Sequence, residues 1–358
     1  MSYVKERLGN ISTFGLIIIM VLILLFSIII AVSIGVVDIP YINVYGILLY
    51  NIAGITTGDL SILSSGVEYD IVWNIRSPRV FLAVVVGIAL AMAGVIMQAT
   101  VQNPLADPYI LGMSSGASFG ATFSIAIGVS TVFSGVLANT GIAVWAFIGS
   151  LVASAAVLGL SSLGGRMTSV KLVLSGVIIS GLFAAFSNLI IVLAADASEI
   201  QSITYWLLGS FAAAQWYKIT IPLIAVVICS IYFTTQIRSL NTMLMGDETA
   251  TTLGVDLAQK RKIYVLLTSL LTATAVAFCG VIGFVGLMIP HVVRGITGNN
   301  HWKLLPVSCL MGGIFMVWAD VLARTVLNGG ELPIGIITAV CGAPIFAYVM
   351  IKRTYSFS

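Results

Sequence analysis

Two histidines, four cysteines and thirteen carboxylates are the side chains here that could bind a metal or relay a proton. Their spacing argues against both. His291 and His301 belong to no H-E-x-x-H or comparable ligand pattern and read as polar residues at the edges of apolar runs. Cys229, Cys279, Cys309 and Cys341 each lie inside an apolar run with no C-x-x-C pairing, as small buried hydrophobes do. The dipeptide Gly-Lys does not occur, so no phosphate-binding loop of the G-x-x-x-x-G-K-[ST] kind exists in the sequence. An intramembrane hydrolase would need a Ser–His or Asp–Asp dyad at depth, and no such spacing is found. The reading is a chain with no catalytic residue, no metal ligand set and no cofactor of its own.

The segments that carry these residues are apolar to a degree that fixes their surroundings. Hydrophobic residues make up 59% of the 358 positions and charged residues only 8%, against about 25% charged in a soluble domain. A helix needs about 20 apolar residues to cross a hydrocarbon core about 30 Å thick. Ten segments approach that length, at 14–36, 77–99, 108–129, 141–163, 171–194, 217–236, 262–281, 284–297, 303–325 and 333–351. The first is too long for a signal-peptide core. The eighth is short and merges with the seventh through CGVIGFVGLMIPH. The expected fold is all-α, a single polytopic membrane domain over 1–358, with an extracytoplasmic loop at 36–75 and a cytoplasmic loop at 237–261. A net charge of +3 gives no reason to expect nucleic acid.

Placing the N-terminus in the cytoplasm puts Lys5, Arg7, Arg166, Lys171, Arg238, Lys260, Arg261, Lys262, Arg294, Lys303, Lys352 and Arg353 inside. Only Arg76, Arg79, Lys218 and Arg324 then fall outside, the asymmetry expected of a cytoplasmic face. Both termini are cytoplasmic in this arrangement. No charged residue sits at mid-span. Ion-coupled carriers usually carry buried ionisable groups, so a secondary transporter is the weaker alternative, with Asp320 its one candidate carboxylate. The outside arginines have two readings. Arg76 and Arg79 share a helix face, and together with Arg324 they form a cationic landing pattern; or they pair locally, Arg324 with Asp320 and Arg76 with Asp70 or Glu68.

Glycines recur at packing distance: Gly112, Gly116 and Gly120 along the third span, and Gly280, Gly283 and Gly286 at the seventh-to-eighth junction. Such spacing lets helices approach closely in lipid. The 237–261 loop reads as two stub helices about a hinge at Gly246. Asp247 is expected to cap the second stub and Gly254 to close it at C′. The other reading of this loop is an amphipathic segment lying on the membrane.

The blocks RSPRVFLAVVVGIALAMAGVIMQ, QNPLADPYILGMSSGASFG, YWLLGSFAAAQW, MGDETATTLGVD, GFVGLMIPHVVR and ADVLARTVLNGGELPIGIITAVCGAPIFAYVM run in order from Arg76 to the C-terminus. Together they resemble the permease subunits of binding-protein-dependent ABC importers for iron–siderophores, haem and vitamin B12, the FecCD type. The first span and the outer segment resemble that family only in hydropathy. The resemblance implies ten spans per subunit, a homodimer and two cytoplasmic ATPase subunits that bind ATP and Mg. It also implies a substrate-binding protein docking outside and residence in the cytoplasmic membrane. Met245, Gly246, Asp247, Glu248, Thr249, Leu253 and Gly254 match the family's coupling helices. Asn103, Leu105, Thr168 and Ser169 match positions that close the cytoplasmic end of the pathway. Arg76, Arg79 and Arg324 match outer arginines that pair with carboxylates of the binding protein.

Overall fold

The computed structural model describes residues 13–56, 60–127, 136–163, 165, 167–194, 196–327 and 330–352. Lys5, Arg7, Arg166 and Arg353, counted above among the inside cations, lie outside the described residues, as do positions 57–59 of the outer loop. The described residues form fourteen principal α-helices and no strand. They are α1 (Thr13–Ser33), α2 (Tyr41–Ala53), α3 (Ser77–Val101), α4 (Met113–Ala126), α5 (Val136–Ser162), α6 (Ser169–Leu193) and α7 (Ala197–Leu208). The second half holds α8 (Trp216–Thr235), α9 (Ile237–Met243), α10 (Asp247–Thr252), α11 (Leu257–Cys279), α12 (Val285–Thr297), α13 (His301–Thr325) and α14 (Ile334–Lys352).

Every expected span has its helix. Seven are long and apolar enough to cross a membrane: α1, the continuous helical run ending in α3, then α5, α6, α8, α11 and α13. One is shorter than expected, and one is as short as expected. α4 has 14 residues because Pro108–Leu111 ahead of it is a 3-10 turn ended by Gly112 at φ +75°. α12 has 13 residues, about 20 Å at the α-helical rise. The seventh and eighth segments do not merge: residues 280–284 are non-helical, with Gly280 at φ +70° and Phe284 at φ +68°. Backbone of this kind is tolerated at membrane depth only where protein or a cavity satisfies it, and the Ser210 amide does part of this by donating to Cys279 O at 2.8 Å.

The outer segment is more ordered than a loop. It contains α2, helical turns at Leu60–Ser64 and Val67–Tyr69, and a π-helical stretch at Asp70–Arg76 that runs directly into α3. α3 is buried along nearly its whole length, against α8, α11, α12 and α13. α4, α5 and α6 pack on one another and join this group largely through α11. α1, α6 and α8 turn rows of large apolar side chains outward, among them Leu22, Phe26, Leu174, Ile178 and Ile228. That polarity is the inverse of a water-soluble bundle and suits lipid.

Close helix crossings rest on glycine. A Cβ on Gly94 of α3 would lie 1.9 Å from the Gly286 carbonyl oxygen of α12. One on Gly116 of α4 would lie 2.4 Å from that of Gly149 in α5. Two members of each expected glycine group serve this purpose. The others do not: Gly112 is the turn residue after Leu111, and Gly283 faces open space. Both groups pack within the chain.

Candidate functional site

Side-chain hydrogen bonds between segments gather at two ends of the bundle. One end collects the 31–37 segment, Arg76, Arg79, Asp320, Arg324 and Glu331. The other collects the ends of α3, α6, α11 and α13 and the stub helices α9 and α10. These are the loop sets that the charge asymmetry places on opposite sides of a membrane.

At the first end the three arginines are buried, with exposures of 4% for Arg76, 6% for Arg79 and 5% for Arg324. Arg79 Nε donates to Asp320 Oδ1 at 2.7 Å and its Nη1 to Glu331 Oε1 at 2.7 Å. Arg324 Nε lies 3.4 Å from the other Asp320 oxygen, so the expected local pair exists but is the weaker half of a three-residue clamp. The remaining Arg324 nitrogens donate to Ala31 O at 2.7 Å and Ile34 O at 2.9 Å. Arg76 donates to Val32 O at 3.3 Å, to Ser33 O at 3.1 Å and to Val37 O. α1 ends at Ser33, so two guanidinium groups satisfy the carbonyls that a helix C-terminus leaves without partners. Gly35 makes room for this: a Cβ there would lie 2.4 Å from Arg76 Nη2. Arg76 does not pair with Asp70 or Glu68, which accept from Asn74 and Asn43 instead. The expectation of open rim cations therefore needs correction. These arginines are cross-links, and of the cluster's charged side chains only that of Glu331, 44% exposed, reaches solvent.

At the second end α9 and α10 form a compact knob. Gly246 sits at φ +100°, ψ 158°, a conformation open essentially to glycine alone. Gly254 is the left-handed C′ residue at φ +84°. Its amide donates to Thr251 O and that of Val255 to Ala250 O, the two bonds of a Schellman ending. Met245 and Leu253 are 64% and 63% exposed, with Glu248, Thr249 and Gly254 also exposed around them. Ala250, Leu240 and Met243 turn inward. Asp247 does not cap α10; Gly246 holds that position without a side chain. The Asp247 carboxylate instead accepts from Arg261 at 2.8 and 3.0 Å and from Gln102 at 2.7 Å. A charge-assisted bond to a buried guanidinium is stronger than a cap in water.

The four residues expected to form a gate lie just beyond α3 and at the head of α6. Asn103 follows α3 and its Oδ1 accepts from the Leu105 amide at 2.9 Å. Thr168 caps α6 by accepting from the Lys171 amide, and Ser169 Oγ accepts from Arg261 at 2.8 Å. Nearby, burial pushes the Asp107 carboxyl up to about 6 against the opposing bond from the Tyr109 amide. Sequence reasoning missed Gln102 and Asn241 and counted Arg261 only among the inside cations. His301 opens α13 and so stands at the edge of its apolar run, yet it is fully buried with Nδ1 2.7 Å from Asn241 Oδ1; His291 lies within α12 and is 6% exposed. Among the described residues no group of three or more His, Cys, Asp or Glu side chains could hold a metal ion. Cys229 and Cys279 are buried, Cys309 and Cys341 half-buried, and all four are free thiols.

Residues 23–352 match the profile of the FecCD transport family. That reaches into the first span and the outer segment, where the sequence blocks carried no resemblance. The uncharacterized ABC transporter permease protein YvrB of Bacillus subtilis is 40% identical over 91% of this chain and 90% of that one. The cobalamin import system permease protein BtuC of Halobacterium salinarum is 40% identical over 79% of this chain and 74% of that one. Among solved structures, an inward-facing ABC transporter assigned to the metal-chelate type superposes with a TM-score of 0.78 at 31% identity. That match spans 95% of this chain and 99% of the other.

Proposed function

The chain belongs to the FecCD transport family, a permease of the ABC importer class, and from that premise we propose that it is the membrane subunit of an ATP-driven metal-chelate importer. The proposed cargo is an iron–siderophore first, with haem or cobalamin next. It crosses the cytoplasmic membrane at the centre of a homodimer. Two separate ATPase subunits bind ATP and Mg and seat against the knob, and an extracytoplasmic binding protein delivers the cargo.

The knob carries this reading. Two exposed large apolar side chains, Met245 and Leu253, stand just past the ends of two short helices held by backbone-specific glycines and by buried anchors. Exposed apolar groups on a rigid polar-rimmed element are what a protein partner grips. The ion-coupled alternative gains no support from Asp320, whose oxygens sit between Arg79 and Arg324. Substrate selection on this reading belongs to the binding protein.

Reconstitution of the chain with its ATPase and binding protein in liposomes is the direct test. Uptake of a ferric chelate, haem or cobamide is expected to need both ATP and the binding protein. Uptake that persists without ATP and follows a proton gradient would refute the proposal; uptake of molybdate-like oxyanions alone would correct the cargo.

The proposed orientation has its own test. Single cysteines at Ser65 and Gln259, both exposed, in a background lacking the four native thiols, are expected to label from opposite faces, Ser65 from outside. Labelling of both by an impermeant reagent added outside would reverse that assignment.

A further inference from the structure

Arg261 is a cation in the first helical turns of α11 with only 1% of its surface exposed. A guanidinium in that position must find acceptors or cost several kcal/mol, and Arg261 draws its acceptors from four different segments. Nε donates to Thr100 O at the end of α3 at 3.2 Å, and Nη1 to Met167 O at 3.2 Å in the link before α6. Nη2 reaches Ser169 Oγ, the first residue of α6, at 2.8 Å and both oxygens of Asp247, the first residue of α10, at 2.8 and 3.0 Å. Gln102, in the left-handed conformation at φ 56° that ends α3, adds a second strut. Its amide nitrogen donates to Asp247 Oδ1 and to Met243 O at the end of α9, each at 2.7 Å.

Without these bonds the knob would be loosely hung. α10 joins α11 through Leu253–Asp256, which includes a left-handed glycine, and joins α9 through another at Gly246. A push on such a stub could be absorbed by those joints without moving a span. The Asp247–Arg261 pair bridges the α10–α11 joint, and the remaining guanidinium bonds carry on to α3 and α6. Those two helices hold the gate positions, Asn103 and Leu105 just beyond α3 and Thr168 and Ser169 at the head of α6. Asp247 has a side chain 40% exposed, whereas that of Arg261 is 2% exposed. The pair therefore lies at the boundary between what a partner can touch and what the bundle encloses.

We infer that Arg261, through Asp247, is the positioning residue that converts displacement of the knob into displacement of the inner ends of α3 and α6. It acts through its neighbours and touches neither ATP nor cargo. The inference rests on the function proposed above and assigns that function's transmission to one side-chain pair.

The test uses the full complex in liposomes, with uptake and ATP hydrolysis measured together. Wild-type complex that fails to transport would count against the proposed function; the inference is judged against a transporting wild type. Asp247→Asn and Arg261→Gln are each expected to lower uptake per ATP hydrolysed about tenfold, within the range of coupling between distinct sites. The double variant is expected to be no worse than the poorer single one, since both remove one link. Co-purification of the ATPase with Asp247→Asn is expected to be normal. Should Arg261→Gln not assemble, Asp247→Asn decides alone, because it keeps its shape at a partly exposed site. Wild-type uptake per ATP in Asp247→Asn, additive losses in the double variant, or loss of the ATPase from the Asp247→Asn complex would each overturn the inference.

Discussion

Replacing Gly246 with proline is expected to abolish cargo-stimulated ATP hydrolysis and uptake while the permease still folds. Gly246 holds φ +100°, and proline fixes φ near −65°, so the chain cannot keep α9 and α10 at their present angle. Proline also removes the amide that donates to Met243 O at 3.3 Å. Nothing lies within 4 Å of a Cβ at Gly246, so the damage comes from the backbone alone and stays in the knob. Glu248→Lys is the companion variant. Glu248 is exposed and contributes to no bond with Arg261 or Gln102, so charge reversal there reads the ATPase contact without loosening the knob. It is expected to weaken ATPase binding and to remove the part of its salt dependence that the Glu248 charge supplies. Stimulated hydrolysis and uptake at wild-type levels in both variants would show that this loop is not the transmission element.

Removing the Arg79 side chain is expected to cost about 3–5 kcal/mol of stability, the usual result of stranding one member of a buried ion pair. Asp320 is fully buried, and Arg79 supplies the shorter of its two cation contacts, 2.7 Å against 3.4 Å from Arg324. Arg79→Leu should therefore lower the melting temperature and the yield of extracted protein sharply. Arg79→Leu with Asp320→Leu should recover much of the loss, because an apolar pair of similar bulk leaves no charge unmatched. A melting temperature within a degree or two of wild type for Arg79→Leu would mean that the clamp carries little stability.

The same burial changes how a docking role for Arg76, Arg79 and Arg324 must be tested. Reversing all three to Glu would break the clamp and unpin α1, so lost docking would not be specific. Lysine substitutions keep the charge and remove the guanidinium fork. We propose that the arginines also steer carboxylates of a binding protein, with Glu331 at the exposed edge of the cluster. On that reading the lysine variants bind it with near-normal salt dependence while glutamine variants lose that dependence.

The ten apolar segments, the lack of a nucleotide loop and the basic bias of one face are local or compositional properties, and all were legible in the sequence. Gly246 and Gly254 were legible because left-handed backbone selects glycine at the position itself. The family blocks identified the knob for the same reason, as contiguous strings. The outer segment was read as a loop because its helices are short and interrupted by Gly54 and Gly66, each at positive φ.

What tertiary structure alone decided is which polar side chains far apart in sequence meet. Reasoning along a helix reaches three or four positions and so found Arg324 with Asp320. It could not find Arg79 with Asp320, 241 residues away, or Arg261 with Thr100, 161 residues away. Nor could it tell that Asp247 would serve Arg261 instead of its own helix end. Glycine contacts such as Gly94 against Gly286 set how closely and at what height the helices cross, and that height determines which carbonyl or carboxylate a buried guanidinium can reach. A hydrogen bond tolerates an error of a few tenths of an ångström, whereas the apolar periodicity that sequence reveals is satisfied by many crossings. The cations were therefore visible as anomalies of charge placement, and their chemistry was settled only when the bundle packed.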